Sequence, residues 1–334
     1  MPRTLTFQIA APLAAGVLLF AAPRPAAAQG RAPITSIDTT VALGRGGVVD
    51  LSLVSGEIRV VGWTRGEVRV HATTEDGELR FESSATRVTL EQELRGHRGR
   101  HDESDARYEV SVPVGARVLM RSTSGDLSAR GVKGDVEART VSGGVEVDDT
   151  GDHTTIESVS GDVKGTRLGG DVRARSVSGE VQLTDVAGDA DGESVSGDVA
   201  IRGAHSKVAR AETVSGDVTY DGTVDPAGRY DFHSHSGGIE LVLPPTVNAS
   251  VSIQTFSGEI ESDFPLTLRP DAQAGRPRQS RRLDFTLGSG GPRINAETFS
   301  GDVVIRRVGG KAKGARGTVR DRDQDQDDDD EPRD

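Results

Sequence analysis

The sequence predicts an all-β protein whose central part is a β-solenoid, a β-helix-like stack of short parallel strands between β caps. Glycines of a Ser-Gly-acid motif recur at 18-residue intervals, and aliphatic residues alternate with polar ones between them. Such alternation is the pattern of a half-buried strand. Aromatic residues make up only 4% of the chain, which agrees with a narrow core of small aliphatic side chains.

The N-terminus has the pattern of a secretory signal peptide. Arg3 supplies a positive charge, residues 9–22 form an apolar run, and residues 26–28 are the three small alanines of a cleavage site. A transmembrane anchor is the alternative, but a span needs about 20 apolar residues and this run is shorter. We therefore expect an exported chain, cleaved after Ala28 and without a transmembrane anchor, in the periplasm, at the cell surface or outside the cell. Residues 29–44 are predicted to be a linker.

Composition and charge restrict the classes of function. The chain has no cysteine, which excludes disulfides, thiol catalysis and cysteine-ligated metals. Its formal net charge of −12 becomes −14 when residues 1–28, which hold two arginines and no acids, are removed. Nucleic acid is not an expected partner, because phosphate binding requires a positive surface. Residues 309–334 are rich in acids without apolar periodicity and are predicted to be a disordered, solubilising tail.

The predicted repeat is nine residues long, and two such units make one 18-residue coil. Its motif glycines are predicted to be structural turn residues, because glycine tolerates a positive φ without a Cβ clash. These turn residues are Gly125, Gly143, Gly161, Gly179, Gly197, Gly216, Gly258 and Gly301. In each unit the second, sixth and eighth residues are mostly aliphatic and the seventh and ninth mostly polar. We therefore expect Val172 to point into the core and Arg173 to point outward.

The acids that follow the glycines are predicted to stack along the two edges of the solenoid. They are Asp162, Glu180 and Asp198 along one edge, and Asp171 and Asp189 along the other. Acids at the coil spacing of about 4.8 Å repel each other by roughly 1 kcal/mol per pair in water. Backbone hydrogen bonds at the turn and arginines such as Arg167, Arg173 and Arg175 are expected to offset this repulsion, with bound cations as the third possibility.

Flanking segments vary the same pattern. Residues 45–121 are predicted to form an N-terminal cap of variant coils, and residues 122–220 the regular array. Residues 221–308 are predicted to form C-terminal variant coils interrupted by an exposed loop at 269–282. A β-sandwich is the competing architecture, but it is built from antiparallel hairpins whose loops normally vary in length. Ten units without an insertion favour the solenoid.

Three segments in order resemble the bacterial DUF4097 family of adhesin-like, β-strand repeat-containing proteins. They are the Val-Ser-Gly-Asp-Val repeats, Val-Pro-Val-Gly-Ala-Arg-Val at 112–118, and Thr-Phe-Ser-Gly-Asp-Val-Val-Ile at 298–305. The resemblance covers roughly residues 45–306. It implies an adhesin-like role and brings no catalytic residues with it.

The sequence contains no catalytic motif, and no enzyme activity, metal or cofactor is expected. His233 and His235 are close enough to share one side of a strand, but no further nearby histidine completes a metal site, so we expect both in solvent. The segment 288–291, Gly-Ser-Gly-Gly, is interpreted as a turn rather than a phosphate-binding loop. Sugar-active solenoids use clustered acids and aromatic platforms, whereas here the acids follow the repeat and Trp63 is the only tryptophan.

The sequence therefore favours a non-catalytic scaffold that binds an unidentified envelope or surface macromolecule. A calcium-dependent repeat protein is the alternative, because nine residues is also the period of the calcium-binding RTX repeat. That repeat requires Gly-Gly-x-Gly-x-Asp, whereas here one glycine generally precedes the acid. A polysaccharide-active enzyme is the remaining, weaker alternative.

The mature chain is expected to begin at Gln29, because the small-residue site ends at Ala28. N-terminal sequencing of the exported protein measures this directly. Recovery of an intact Met1 in the soluble envelope fraction would contradict the prediction.

Overall fold

The computed structural model describes residues 34–75, 77–93, 106–265 and 281–309. The predicted signal peptide, most of the predicted loop at 269–282 and nearly all of the acidic tail lie outside these residues. The described part of the chain consists of strands and connecting segments. It contains no helix long and apolar enough to cross a membrane.

The strands follow one another with short connections. The first twelve are β1 (Ser36–Ala42), β2 (Val48–Trp63), β3 (Glu67–Thr74), β4 (Glu78–Ser83), β5 (Arg87–Glu93), β6 (Ala106–Pro113), β7 (Arg117–Arg130), β8 (Val136–Thr140), β9 (Val145–Thr150), β10 (Thr154–Ser158), β11 (Val163–Leu168) and β12 (Val172–Arg175). The others are β13 (Val181–Val186), β14 (Ala190–Ser194), β15 (Val199–Ala204), β16 (Val208–Ser215), β17 (Val218–Gly222), β18 (Arg229–Ser236), β19 (Ile239–Leu243), β20 (Ala249–Ser257), β21 (Ile260–Ser262), β22 (Arg281–Leu287), β23 (Arg293–Ser300) and β24 (Val303–Arg307).

The middle of the chain forms two rows of parallel strands. In the first row β8, β10, β12, β14, β16 and β18 pair in that order, and Thr154 pairs with Val136 on one side and Val172 on the other. In the second row β9, β11, β13, β15, β17 and β19 pair in order, and Val163 lies between Val145 and Val181. The chain is thus all-β, with a long parallel sheet of many strands that is consistent with a solenoid-like repeat.

The core lies between the two rows and follows the alternation of the sequence. Val172 is 3% exposed, whereas its neighbour Arg173 is exposed, so the predicted strand register is confirmed. Aliphatic residues on equivalent strands form buried columns, and burial of one valine or leucine contributes about 1.5–3 kcal/mol. Three larger rings, Tyr220, Tyr230 and Phe232, pack together where the spacing of the repeat lengthens, with centroids 4.9 and 5.7 Å apart.

The N-terminal end of the array departs from simple stacking. The 16-residue β2 pairs in parallel with β7 on one side and with both β5 and β6 on the other. Beyond it, β3 pairs with β6, β1 with β3, and β4 with β5, all antiparallel. Strand β1 lies inside the predicted linker 29–44, so the linker prediction is wrong for residues 36–42; Ile37 and Val41 pack against the core.

At the C-terminal end the order of strands in space differs from their order in the chain. Strand β23 pairs in parallel with β18 on one side and β20 on the other, and β24 lies likewise between β19 and β21. The last two strands therefore insert between segments that precede them in sequence. Strand β22 then pairs antiparallel with β20.

The corners that lead out of the second row contain a residue in the left-handed region. Gly131, Asp149, Arg167, Asp185 and Gly203 have φ between 52° and 69°, and they follow one another at 18-residue intervals. Three of the five carry side chains, although this conformation is unfavourable for residues other than glycine. The repeated stacking of the flanking strands holds them there.

The predicted turn glycines are required for a different reason from the one expected. Gly125 lies inside β7, and the other seven lie in bends between strands. Apart from Gly143, whose φ of 158° is nearly extended, they do not have a positive φ. A Cβ on Gly179 would lie 2.2 Å from the carbonyl oxygen of Gly161, and equivalent contacts of 1.9–2.4 Å recur along this column of glycines, which also includes Gly237. Close approach of successive strands, not turn conformation, therefore excludes side chains here.

Gly179→Ala is expected to destabilise the protein by about 1–3 kcal/mol, because the new Cβ must push two hydrogen-bonded strands apart. Gly115→Ala is the matched control, since a Cβ there meets no atom within 4 Å. Chemical denaturation of both variants measures the difference. Equal, small losses would show that the strands separate easily at the glycine column.

Candidate interaction surface

A line of exposed apolar side chains runs along one edge of the array, immediately before the glycine column. We call it the apolar stripe, and its members are Val141, Val159, Val177, Val195, Val214, His235, Phe299 and Phe256. The five valines are 42–48% exposed. Backbone hydrogen bonds join neighbouring members, for example from Ser178 N to Val159 O and from Ser196 N to Val177 O, both within 2.9 Å. The stripe is therefore continuous and held by the sheet.

The exposure of these valines follows from strand alternation at their corner. Val172, Ala174 and Ser176 point inward. Because the alternation continues without interruption, the residue that follows Ser176, Val177, points outward. At the opposite corner the left-handed Asp185 resets the phase, and Val186 is fully buried. The aliphatic second position of the repeat is thus core at one corner and surface at the other.

Aromatic rings replace the valines at the C-terminal end of the stripe. Phe299 stacks on Phe256 with centroids 4.7 Å apart and on His235 with centroids 5.1 Å apart. The interplanar angles are 4° and 11°. Phe299 therefore has a ring on each of its faces, and the three rings form one exposed aromatic stack.

A column of charged side chains lies beside the apolar stripe; all its members except Arg121 precede a stripe member by two residues, and the uncharged Gln254 precedes Phe256. We call it the charged column; it consists of Arg121, Arg139, Glu157, Arg175, Glu193, Glu212, His233 and Glu297. Ion pairs link adjacent members, including Arg139–Glu157 at 2.7 Å and Arg175–Glu193 at 3.2 Å. Between Arg121 and Val214, stripe and column together line a shallow groove of about 800 Å³.

Buried hydroxyl groups support the surface from behind. A serine or threonine between the two columns points inward and donates a hydrogen bond of 2.8–3.1 Å to a glycine carbonyl of the adjacent strand pair. The donors are Thr140, Ser158, Ser176, Ser194, Thr213, Ser234, Thr298 and Thr255. Because each carbonyl belongs to the glycine column, the same stacking contact both excludes a Cβ and supplies an acceptor.

The turn acids stack as the sequence predicted, and backbone groups hold them. Asp162 Oδ1 accepts a hydrogen bond from Glu180 N at 3.0 Å, Asp198 Oδ1 one from Asp217 N at 2.8 Å, and Asp171 Oδ1 one from Asp189 N at 3.0 Å. Each carboxylate therefore bonds to the next turn along its own edge. The expectation that arginines neutralise these acids is wrong: Arg167, Arg173 and Arg175 bind the strand acids Asp148, Asp191 and Glu193 instead.

A second, polar groove of about 750 Å³ lies across the outer face of β2, β7, β9 and β11. Its buried acid, Asp148, pairs through Oδ2 with Arg130 and Arg167. Basic and acidic side chains alternate along it, among them Arg59, Glu146 and Lys164. The lining of this groove is less apolar than that of the groove beside the apolar stripe, so the stripe is the stronger candidate for binding a macromolecule.

The other residues singled out in the sequence have separate surroundings. His233 lies 3.8 Å from Glu297, whereas His235 stacks in the aromatic end of the stripe, so the two do not converge. No cluster of three metal-ligating side chains occurs among the described residues.

Trp63 donates a hydrogen bond to the backbone carbonyl of Glu67, and the Arg65 guanidinium lies over the indole ring. Burial raises the pKa of Tyr220, which keeps its hydroxyl protonated and bonded to Thr223 O.

Comparison with known proteins agrees with the resemblance found in the sequence. Residues 169–306 match the family model described as Toastrack DUF4097. No curated protein matches the chain. Among solved structures, a "putative adhesin" from Bacteroides fragilis is 10% identical, with 81% of this chain and 96% of that chain covered and a TM-score of 0.38. A "putative cell adhesion protein" from Clostridium sporogenes is 9% identical, with 81% and 99% covered and a TM-score of 0.22.

Folding is expected not to require calcium, because backbone N–H groups already hold the turn carboxylates. Thermal melts with millimolar calcium and with chelator should agree within about 2 °C, equivalent to less than about 1 kcal/mol. A variant that lacks the acidic tail after Gly310 controls for cations bound by the tail. Loss of the β signal on chelation would instead favour the calcium-dependent alternative.

Proposed function

We propose that the chain is an exported, non-catalytic, adhesin-like scaffold, because residues 169–306 match the family model described as Toastrack DUF4097. Its role is to mediate interactions with a macromolecule of the cell surface or the periplasmic envelope. The signal-peptide pattern at residues 1–28 supports export. The mature net charge of −14 disfavours a nucleic-acid partner.

The scaffold is proposed to be a stack of 18-residue coils, each made of two nine-residue strand-turn units. The 18-residue offset between Val136, Thr154 and Val172, and between Val145, Val163 and Val181, supports this arrangement. Such a stack presents equivalent residues of every coil in straight columns about 4.8 Å apart. It is suited to binding a partner along an extended line of contact.

The observation that carries the proposal is the apolar stripe. Soluble proteins rarely leave contiguous apolar side chains exposed, and such patches mark interaction sites. Here the repeat places an exposed valine at the end of five neighbouring strands of the first row and two phenylalanines beyond them. Their fixed backbone spacing gives the partner a preorganised surface, which lowers the entropic cost of binding.

A non-catalytic role is supported by the way the surface carboxylates are used. Asp191 pairs with Arg173 at 3.1 Å, and Glu193 pairs with Arg175. General acid–base catalysis requires a titratable group with a pKa near the working pH, aimed at a reacting atom. The charged groups of this face instead pair with oppositely charged neighbours along the sheet.

Replacement of Val159, Val177 and Val195 together by threonine tests the role of the stripe, because threonine keeps the β-branched shape and removes apolar surface. We expect the bound fraction on isolated envelopes of the source organism to fall several-fold, measured by co-sedimentation of the labelled mature chain.

The matched control replaces Val61, Val114 and Val208 by threonine, since these valines are 37–43% exposed and lie outside the stripe. It should bind as the unmodified chain does. Equal binding by both triple variants would reject the stripe as the interaction surface, and absence of binding by the unmodified chain would reject the envelope role.

A further inference from the structure

We infer that the regular part of this surface docks against a second copy of the chain, in antiparallel orientation, to form a two-fold symmetric dimer. The inference rests on the proposed function in one respect: it identifies a partner for the same apolar stripe. The face concerned spans six strand segments, from the first half of β7 to β16.

The order of charges along this face is the first argument. From β7 to β16 the charged column reads Arg121, Arg139, Glu157, Arg175, Glu193, Glu212. The charges therefore run plus, plus, minus, plus, minus, minus. When this order is reversed, every position carries the opposite charge. The column is therefore complementary to its own reversed copy.

A two-fold axis performs this reversal. The axis lies in the interface, at right angles to the direction in which the strands stack. The axis passes between Glu157 and Arg175, so each of these residues faces the other's equivalent in the second copy. Arg139 then faces Glu193, and Arg121 faces Glu212. In an isologous interface each contact occurs twice, which gives six opposite-charge contacts.

The same rotation places the four central valines of the stripe on one another, while Val214 faces Thr123 of the copy. Because stripe and charged column keep their sides in the antiparallel arrangement, Val159 faces Val177 of the copy and Val141 faces Val195. A parallel dimer, by contrast, would set every member of the charged column against its own equivalent. Like charges in contact oppose association, so the charge order selects the antiparallel orientation.

The outer column on these strands has a weaker influence. This outer column lies two residues before the charged column on each strand. In the dimer Glu137 would face Asp191 of the copy, and this contact between like charges is unfavourable by itself. Each of these acids already has an arginine partner: Glu137 pairs with Arg139 at 2.7 Å, and Asp191 with Arg173 at 3.1 Å. They also lie two residues farther from the stripe, towards the rim, where charges contribute little.

The size of the face suffices for a specific dimer. Six strands at about 4.8 Å and about 20 Å of each strand give roughly 580 Å² per copy. The total exceeds the approximately 1,000 Å² that a specific interface needs.

Charge exchange between Arg139 and Glu193 tests the inference. Within one chain these residues are separated by Glu157 and Arg175 and do not pair, so a compensating effect has to pass between chains. Sedimentation velocity of the mature chain should show a concentration-dependent dimer. Arg139→Glu and Glu193→Arg should each weaken it by at least about tenfold, because each change places like charges together twice.

The double variant Arg139→Glu/Glu193→Arg should recover the dimer, and an equimolar mixture of the two single variants should form a heterodimer. Lys164→Glu, the same charge change on the other face, should leave association unchanged. Circular dichroism confirms that each variant is folded. A monomer at about 100 μM, or a double variant as weak as the single ones, would overturn the inference.

The two proposals fail separately. If Arg139→Glu is monomeric but still binds isolated envelopes, the dimer stands and the envelope role does not depend on it. If the unmodified chain is a dimer but binds no envelope, the dimer stands and the envelope role is rejected. If the chain binds envelopes but shows no dimer, only the envelope role survives.

Discussion

The close approach of glycine backbones in successive strand pairs is the contact on which the rest of the structure depends. At Gly161 and Gly179 the strands leave no room for a Cβ, because the next carbonyl oxygen already occupies that position. This contact recurs along the array and sets one spacing for all layers. A uniform spacing keeps the parallel hydrogen bonds of both rows in register and lets the valines inside form continuous columns.

The same contact determines how polar groups inside the array are satisfied. A glycine carbonyl that faces the next layer would destabilise the folded state if it had no hydrogen-bond partner. Ser176 or its equivalent donates a hydrogen bond to it. The turn carboxylates behave similarly, since Asp162 accepts the N–H of Glu180 in the next turn. Neighbouring acids are thus joined through backbone dipoles, which opposes the repulsion between their charges without requiring a cation.

The two corners of the repeat give the array two different surfaces. Where a left-handed residue such as Asp185 resets the side-chain phase, the aliphatic residue that follows enters the core. Where alternation runs on uninterrupted, Val177 and its equivalents point into solvent. Repetition converts that local difference into a straight apolar line with a charged line beside it. The apolar stripe is nearly uniform along its valines, so the order of charges in the charged column determines which partner orientation the surface favours.

The sequence by itself determined the strand class, the inward position of Val172 and the stacking of Asp162 with Glu180, because all three follow from local periodicity. It did not determine why Gly179 is glycine, since the obstructing atom belongs to another layer. Nor did it distinguish exposed Val177 from buried Val186, whose phase depends on the left-handed conformation of Asp185. The stacking of Phe299 on Phe256 also required the tertiary structure, because β23 inserts out of chain order. Strand alternation is a local property and can therefore be predicted from the sequence. Contacts between layers depend on which strands are neighbours in space, and only the tertiary structure shows this.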